Sequence, residues 1–303
     1  MRRTRRASAS DAREGSPEEG ALAERPLFNG FEVKSVRGLR LRMGGGGRPV
    51  LLLHGHPQTH AMWHAVAESL VEDFTIVAAD LPGYGRSAPT ATGSKREMAA
   101  VLVEVMADLG FERFFLAGHD RGGRCAYRLA LDSPDRVDRL AVLDIVPTAE
   151  MWRRVDKEFG LIDWHWFFLA QPEPFPEELI SVAPETYYFR GDTSRFHPEA
   201  LADYLASVRD PAVVQAMCRD YRAGATIDHD LDEADLAAGR RIHCPVLALW
   251  AGRDELGRWF DVIETWRRWA DDVRGLAIDA GHFLPEERPE EVAEALRAFF
   301  LES

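Results

Sequence analysis

Two segments of this chain have the residue types and spacing of a nucleophile and its base. Gly118-His119-Asp120-Arg121-Gly122-Gly123 stands between the apolar run RFFLAG (113–118) and the helix-like run RCAYRLALD. Small residues on both sides of the middle position, after a strand and before a helix, are the pattern of a nucleophile elbow, where glycines permit the strained turn that exposes the central side chain. That side chain is Asp120. A carboxylate can displace a leaving group from saturated carbon and remain as an ester on the protein, which points to alkyl halides or epoxides and away from amides. Water must then cleave the ester with the help of a base. Gly281-His282-Phe283-Leu284-Pro285-Glu286 supplies His282 late in the chain, in the order nucleophile then histidine.

Two acids qualify as the partner of His282: Asp144, at the end of RLAVLD (139–144), and Asp254, in AGRDE. Either could fix the imidazole tautomer and stabilise its cation. His54-Gly55-His56-Pro57 follows another apolar run, so the backbone N–H groups of His56 and Arg121 are the candidates for an oxyanion formed on Asp120. Arg121 and Arg124 share one face of the first turn after the nucleophile, and a guanidinium fork matches a carboxylate, so an anionic substrate is expected. Arg128, further along, reads as a surface residue. Asp163-Trp164-His165-Trp166 and Asp220-Tyr221 bring His165, Trp166 and Tyr221, which offer N–H or O–H donors on apolar bodies for a departing halide. Tyr187, Tyr188, Tyr204 and Tyr221 are the donors that an epoxide oxygen would need, but paired arginines have no role with a neutral epoxide.

The elements that must position these groups alternate between strand-like and helix-like. FEVKSV and LRLRM, separated by Arg37-Gly38, read as an antiparallel hairpin. PVLLLHG, FTIVAAD, RFFLAG and RLAVLD are near-continuous apolar runs, as buried parallel strands are. Ala61 to Leu70 and Lys95 to Leu109 carry helical spacing between them, giving βαβ units and a doubly wound sheet. After Pro147 the pattern changes: residues 148–237 are rich in Trp, Tyr, Pro and charge, and read as a helical cap inserted into an α/β core of residues 26–147 and 238–303. CPVLALWAG, an amphipathic segment from Trp259 to Ala270, VRGLAID and a helix from Pro289 to Phe300 complete that core. The cap should cover the carboxyl edge of the sheet, where open α/β sheets bind ligands.

Composition narrows the function classes. The 303 residues are 46% hydrophobic, enough for a large core, and the net charge of -13 argues against nucleic acid as a partner. Cys125, Cys218 and Cys244 make an odd set without C-x-x-C spacing, so neither a disulfide framework nor a metal site is expected, and a cytoplasmic setting fits. No apolar stretch of about 18 residues is present, so a membrane span is excluded. Residues 1–25 are polar throughout and read as a disordered tail.

GHDRGGRCAYRLALDSPDRV, LAVLDIVPT, the HWFFLAQP and CRDYRAGA segments and GHFLPEE resemble their counterparts in the fluoroacetate (haloacetate) dehalogenase family, from about Pro49 onward. The resemblance implies an α/β-hydrolase fold with a helical cap and hydrolysis of a short 2-haloacid without cofactor, in a homodimer. It also implies Asp120 as nucleophile, His282 with Asp144 as relay, Arg121 and Arg124 on the substrate carboxylate, and His165, Trp166 and Tyr221 on halide. The sequence departs from the family where His56 replaces a usual Phe, where Asp254 occupies a loop that lacks an aspartate in defluorinating members, and between Pro184 and Pro198, where the cap is shorter.

Overall fold

The computed structural model describes residues 26–191 and 193–302; the expected N-terminal tail lies outside them. Eight strands form one sheet: β1 (Glu32–Val36), β2 (Leu39–Gly44), β3 (Arg48–Leu53), β4 (Phe74–Ala79), β5 (Phe114–His119), β6 (Val137–Leu143), β7 (Val246–Ala251) and β8 (Val273–Ile278), in the order β1-β2-β4-β3-β5-β6-β7-β8. β1 and β2 form the expected hairpin, β2 pairs antiparallel with β4, and every later pairing is parallel. Alternate residues feed two apolar layers. On β3, Leu51 and Leu53 pack into one layer while Val50 and Leu52 pack into the other, and Phe114 and Phe115 divide in the same way. A sheet covered on both faces needs apolar residues at every position, which is why its strands read as unbroken apolar runs.

The strand order fixes where chemistry can occur. β3, β5, β6, β7 and β8 are successive parallel neighbours, so the loops after them, carrying His56, Asp120, Asp144, Asp254 and His282, emerge side by side along one edge. Between β6 and β7 the described residues form eight helices and no strand, from Thr148–Arg154 to Ile227–Ala237. Prolines open several of them, at Pro184, Pro198 and Pro211, where a missing N–H costs nothing. The expected helical segment from Trp259 to Ala270 is instead two short helices, Leu256–Trp259 and Val262–Arg267, because Asp261 leaves the helical conformation and accepts from the Glu264 N–H as a cap.

Buried and half-buried polar contacts bolt the cap to the core. Arg40 grips Asp203 through two bonds of 2.8 and 2.7 Å, and Tyr127 donates to Asp232 at 2.8 Å. Arg128, expected at the surface, is buried and bridges Asp232 and Asp235 at 2.8 and 2.5 Å. Its helix face is covered by the cap, which sequence spacing within that helix does not reveal. No helix among the described residues is long and apolar enough to cross a membrane.

Candidate active site

Asp120 follows the last residue of β5 and precedes the helix Arg121–Asp132, with φ 44° and ψ -116°. A non-glycine residue there is strained by on the order of 1–3 kcal/mol, and only over-determined surroundings hold it. The glycines make this possible by excluding side chains: a Cβ on Gly122 would stand 2.4 Å from the His54 carbonyl oxygen, and one on Gly118 2.5 Å from the Gly122 oxygen. Asp120 Oδ2 accepts from the His56 backbone N–H at 2.9 Å. The N–H of Arg121, first in its helix, has no carbonyl within the helix to bond, so it too is free to serve an oxyanion. Burial alone would push the Asp120 carboxyl up, but the charges of His282, Arg121 and Arg124 outweigh it and hold it well below the ordinary carboxylate range.

His282 Nδ1 lies 2.7 Å from Asp144 Oδ2, and Asp144 Oδ1 accepts from the Ala251 N–H at 2.9 Å. Burial works against the imidazolium, yet the hydrogen bond and charge of Asp144, with the charges of Asp120 and Asp254, raise His282 to about 10. Asp144 is also pushed up, burial outweighing His282. The two groups thus compete for one proton, and the second bond from Ala251 favours carboxylate with imidazolium. Asp254 has an oxygen within 4.8 Å of the Asp144 and His282 ligand-type atoms, but its own contact is the Glu255 N–H at 2.8 Å. Next to them His119, kept neutral by burial at about 3, meets the His282 carbonyl oxygen through Nε2 at 2.7 Å.

A cavity of about 410 Å³ opens over these groups, lined by Asp120, Arg124, Asp144, Asp254 and His282 from the core and by His165, Trp166 and Tyr221 from the cap. The two arginines differ. Arg124 lies on the cavity wall, its guanidinium 4.6 Å from the Trp166 ring centre and bonded to the Val146 carbonyl at 3.0 Å, with Nε unpartnered. Arg121 lies behind that wall, 4.3 Å from the Tyr221 ring centre, and Asp220 holds it through Nε at 3.0 Å and Nη2 at 2.5 Å. Its Nη1 has no partner. Each guanidinium therefore keeps one buried nitrogen unanswered by protein.

Comparison with known proteins agrees with this architecture. Residues 48–289 match the family model described as alpha/beta hydrolase fold. The chain belongs to the α/β-hydrolase family. Within it, a fluoroacetate dehalogenase from Burkholderia sp. is 43% identical over 290 residues, covering 90% of this chain and 95% of that protein, which bears out the resemblance read from the motifs. A soluble epoxide hydrolase from Corynebacterium sp. (strain C12) is 32% identical over 286 residues, with 90% and 95% covered. A crystal structure from Nostoc sp. PCC 7120, described as an alpha/beta hydrolase, superimposes with a TM-score of 0.88 at 48% identity, covering 91% of this chain and all of that one.

Several residues of this hydrolase site escaped sequence reasoning. Asp220 is the largest omission: besides Arg121 it pairs with Lys95 and accepts from the Tyr84 hydroxyl at 2.7 Å, all of them buried. Its neighbour Tyr221 drew attention, but partners about a hundred residues away leave no local signal. Removing Asp220 would strand two buried cations, at a cost of about 3–5 kcal/mol. Asp163, on the cavity wall, is pushed up to about 6 by burial. Of the tyrosines offered for an epoxide, Tyr187, Tyr188 and Tyr221 line the cavity, whereas the Tyr204 hydroxyl is committed to Glu286 at 2.8 Å. His56 lines it too, neutral at about 3 through burial, its ring flanked by Tyr188 and Tyr221 with centres 5.2 and 5.1 Å away.

Proposed function

We propose that this hydrolase cleaves the carbon–halogen bond of a short 2-haloacid such as chloroacetate or fluoroacetate and releases the hydroxy acid. The observation that carries this reading is the pair of unanswered guanidinium nitrogens, Arg124 Nε in the cavity wall and Arg121 Nη1 behind it, in a site with an ionised Asp120. Arg124 would bond a carboxylate oxygen from the cavity wall, the Arg121 charge behind it would favour the anion, and the adjacent carbon would be held for attack. Asp120 displaces the halide, which leaves into the donors of His165, Trp166 and Tyr221. The oxyanion formed when water attacks the ester rests on the His56 and Arg121 N–H groups. Esterification removes the Asp120 charge, one of those that favour the imidazolium, so His282 gives its proton to solvent more readily; the neutral imidazole then takes a proton from the attacking water, and Asp144 stabilises the cation that forms. The 43% identical fluoroacetate dehalogenase supports the reading. A second reading, hydrolysis of a neutral epoxide, has the support of the epoxide hydrolase relative and of the cavity tyrosines, but leaves both guanidinium N–H groups unused.

The test is halide release from chloroacetate, bromoacetate and fluoroacetate, read with ion-selective electrodes, with glycolate as the organic product. Chloride and bromide are expected to appear fastest. Fluoride should be slower, since it leaves only when strongly hydrogen-bonded. Absence of halide release from all three acids would overturn the proposal.

A further inference from the structure

In a 2-haloacid the carbon that bears the carboxylate also bears the leaving atom. The same relationship holds in an oxirane-2-carboxylate, where the ring oxygen takes the halogen's place on that carbon. A carboxylate clamp and a nucleophile arranged for the first therefore suit the second, provided that the leaving oxygen finds what a halide does not require, a proton.

The wall that faces the leaving group offers one. Trp166 and Tyr221 are 5% and 3% exposed, and both line the cavity. An indole N–H can only donate a hydrogen bond, but a phenol can surrender its proton as well. Tyr221 stands over the Arg121 guanidinium, 4.3 Å from its ring centre, and beside His56 and His165. Burial and the negative charge of Asp120 hold the phenol proton in the resting site, with Arg121 opposing them. Once Asp120 has become an ester that charge is gone, and the phenol is a stronger acid at the moment when an alkoxide appears.

Room is also present. A two-carbon haloacid fills a small part of a cavity of about 410 Å³, which lies in the range of roughly 300–1,000 Å³ that encloses much larger ligands. Beyond the donors its walls include Met151, Tyr187, Tyr188, Leu256 and Trp259, and the Tyr187 and Tyr188 hydroxyls are buried without partners. These walls suit a substituent on the second ring carbon.

We propose that this site also hydrolyses oxirane-2-carboxylates, opening the ring at the carboxylate-bearing carbon with Tyr221 as proton donor; the inference rests on the carboxylate clamp of the haloacid reading. An Asp120 oxygen bonds to that carbon as its ring C–O bond breaks. The bonding pair goes to the ring oxygen, which takes the Tyr221 proton. Water, losing a proton to His282, then attacks Cγ of Asp120, and the ester C–O bond breaks toward the substrate to give the 2,3-dihydroxy acid. The proton released by ester hydrolysis equals the one given up by Tyr221, so the net change is one epoxide plus one water. A neutral epoxide leaves two buried N–H groups unpaired, and sites built to bond a polar group reject analogues that lack it.

The full chain is tested with racemic oxirane-2-carboxylate, propylene oxide and chloroacetate in parallel, measuring 2,3-dihydroxypropanoate, propanediol and chloride. The epoxy acid is expected to be hydrolysed at least about 100-fold more efficiently than propylene oxide. Tyr221→Phe should lower epoxy-acid turnover by about 100-fold or more, as loss of a general acid does, while chloride release falls by about 10-fold or less, as loss of one hydrogen bond does. Chloride release without any dihydroxy acid would overturn this inference and leave the haloacid reading standing. Equal losses on both substrates would overturn the role of Tyr221, and turnover of neither acid would overturn the haloacid reading together with this one.

Discussion

In the core, Asp120, Asp144 and His282 are fixed by backbone: each follows a parallel strand, and Asp120 and Asp144 are held at φ 44° and 54°. In the cap, His165, Trp166 and Tyr221 come from two helices, His165–Leu169 and Pro211–Ala225, and meet through ring edges with centres 5.7 and 6.1 Å apart. The core groups are held by hydrogen bonds of 2.7–2.9 Å, whereas the cap turns aromatic rings to the cavity, and its Tyr187 and Tyr188 hydroxyls are buried without partners. On the proposed reading, a rigid carboxylate, base and acid define the reaction and an aromatic wall defines what may enter. Changes to the core should therefore abolish a chemical step, and changes around the clamp should alter which substrates are processed.

The largest expected effect separates the two acids near His282. Asp144→Asn removes the 2.7 Å partner of the imidazole and should lower kcat by about 10³-fold or more, by analogy with loss of the acid in other relays. Asp254→Asn removes only a more distant charge and should cost less than about 10-fold. Rate measurements on chloroacetate decide the matter; the reverse order would move the relay to Asp254 and leave Asp120 in place.

Next come the arginines. Arg124→Ala, on the cavity wall, should lower kcat/KM for chloroacetate by about 10- to 160-fold, the equivalent of about 1.5–3 kcal/mol for a charged hydrogen bond. Arg121→Ala should reach at least the same loss and also destabilise the fold, because the buried Asp220 loses one of its two cations and keeps only Lys95. A drop in thermal midpoint for Arg121→Ala with little for Arg124→Ala would sharpen the contrast. Unchanged kinetics in both would remove the clamp.

This order also measures what the sequence could reveal. The elbow was legible because glycines that must make room for a turn are adjacent in sequence to the residue that they expose. His282 was legible from chain order, and the hairpin and parallel strands from their apolar patterns. The relay acid was not settled by spacing, since Asp144 and Asp254 both end at the same sheet edge and only three-dimensional approach to His282 separates them. Cap contacts were the least legible: Arg128 to Asp232 and Arg121 to Asp220 join residues about a hundred positions apart, and nothing in the periodicity of either helix marks them.

A smaller effect concerns the seam between the regions. Glu286 accepts from cap Tyr204 and contacts Gln58 of the loop after β3, and burial raises its carboxyl to about 8. Gln58 Oε1 is buried without a partner, so turning the amide over would give a protonated Glu286 an acceptor. A carboxyl raised in the folded state adds stability that is full below its unfolded value and is lost as pH rises toward 8. Glu286→Gln should flatten that decline in thermal midpoint between about pH 4.5 and 8. Persistence of the full slope would exclude Glu286 as its source.

The central claim is that Asp120 attacks carbon and carries the substrate as an ester until His282 directs water to it. His282→Asn leaves the nucleophile and clamp intact while removing the base, which general acid–base groups supply at about 10²- to 10⁴-fold. Intact-mass spectrometry of this variant after treatment with chloroacetate, followed by peptide mapping, tests the claim most directly. The account predicts one carboxymethyl adduct per chain, located on Asp120 and formed with release of one chloride. A folded variant that binds chloroacetate yet carries no adduct on Asp120 would contradict it.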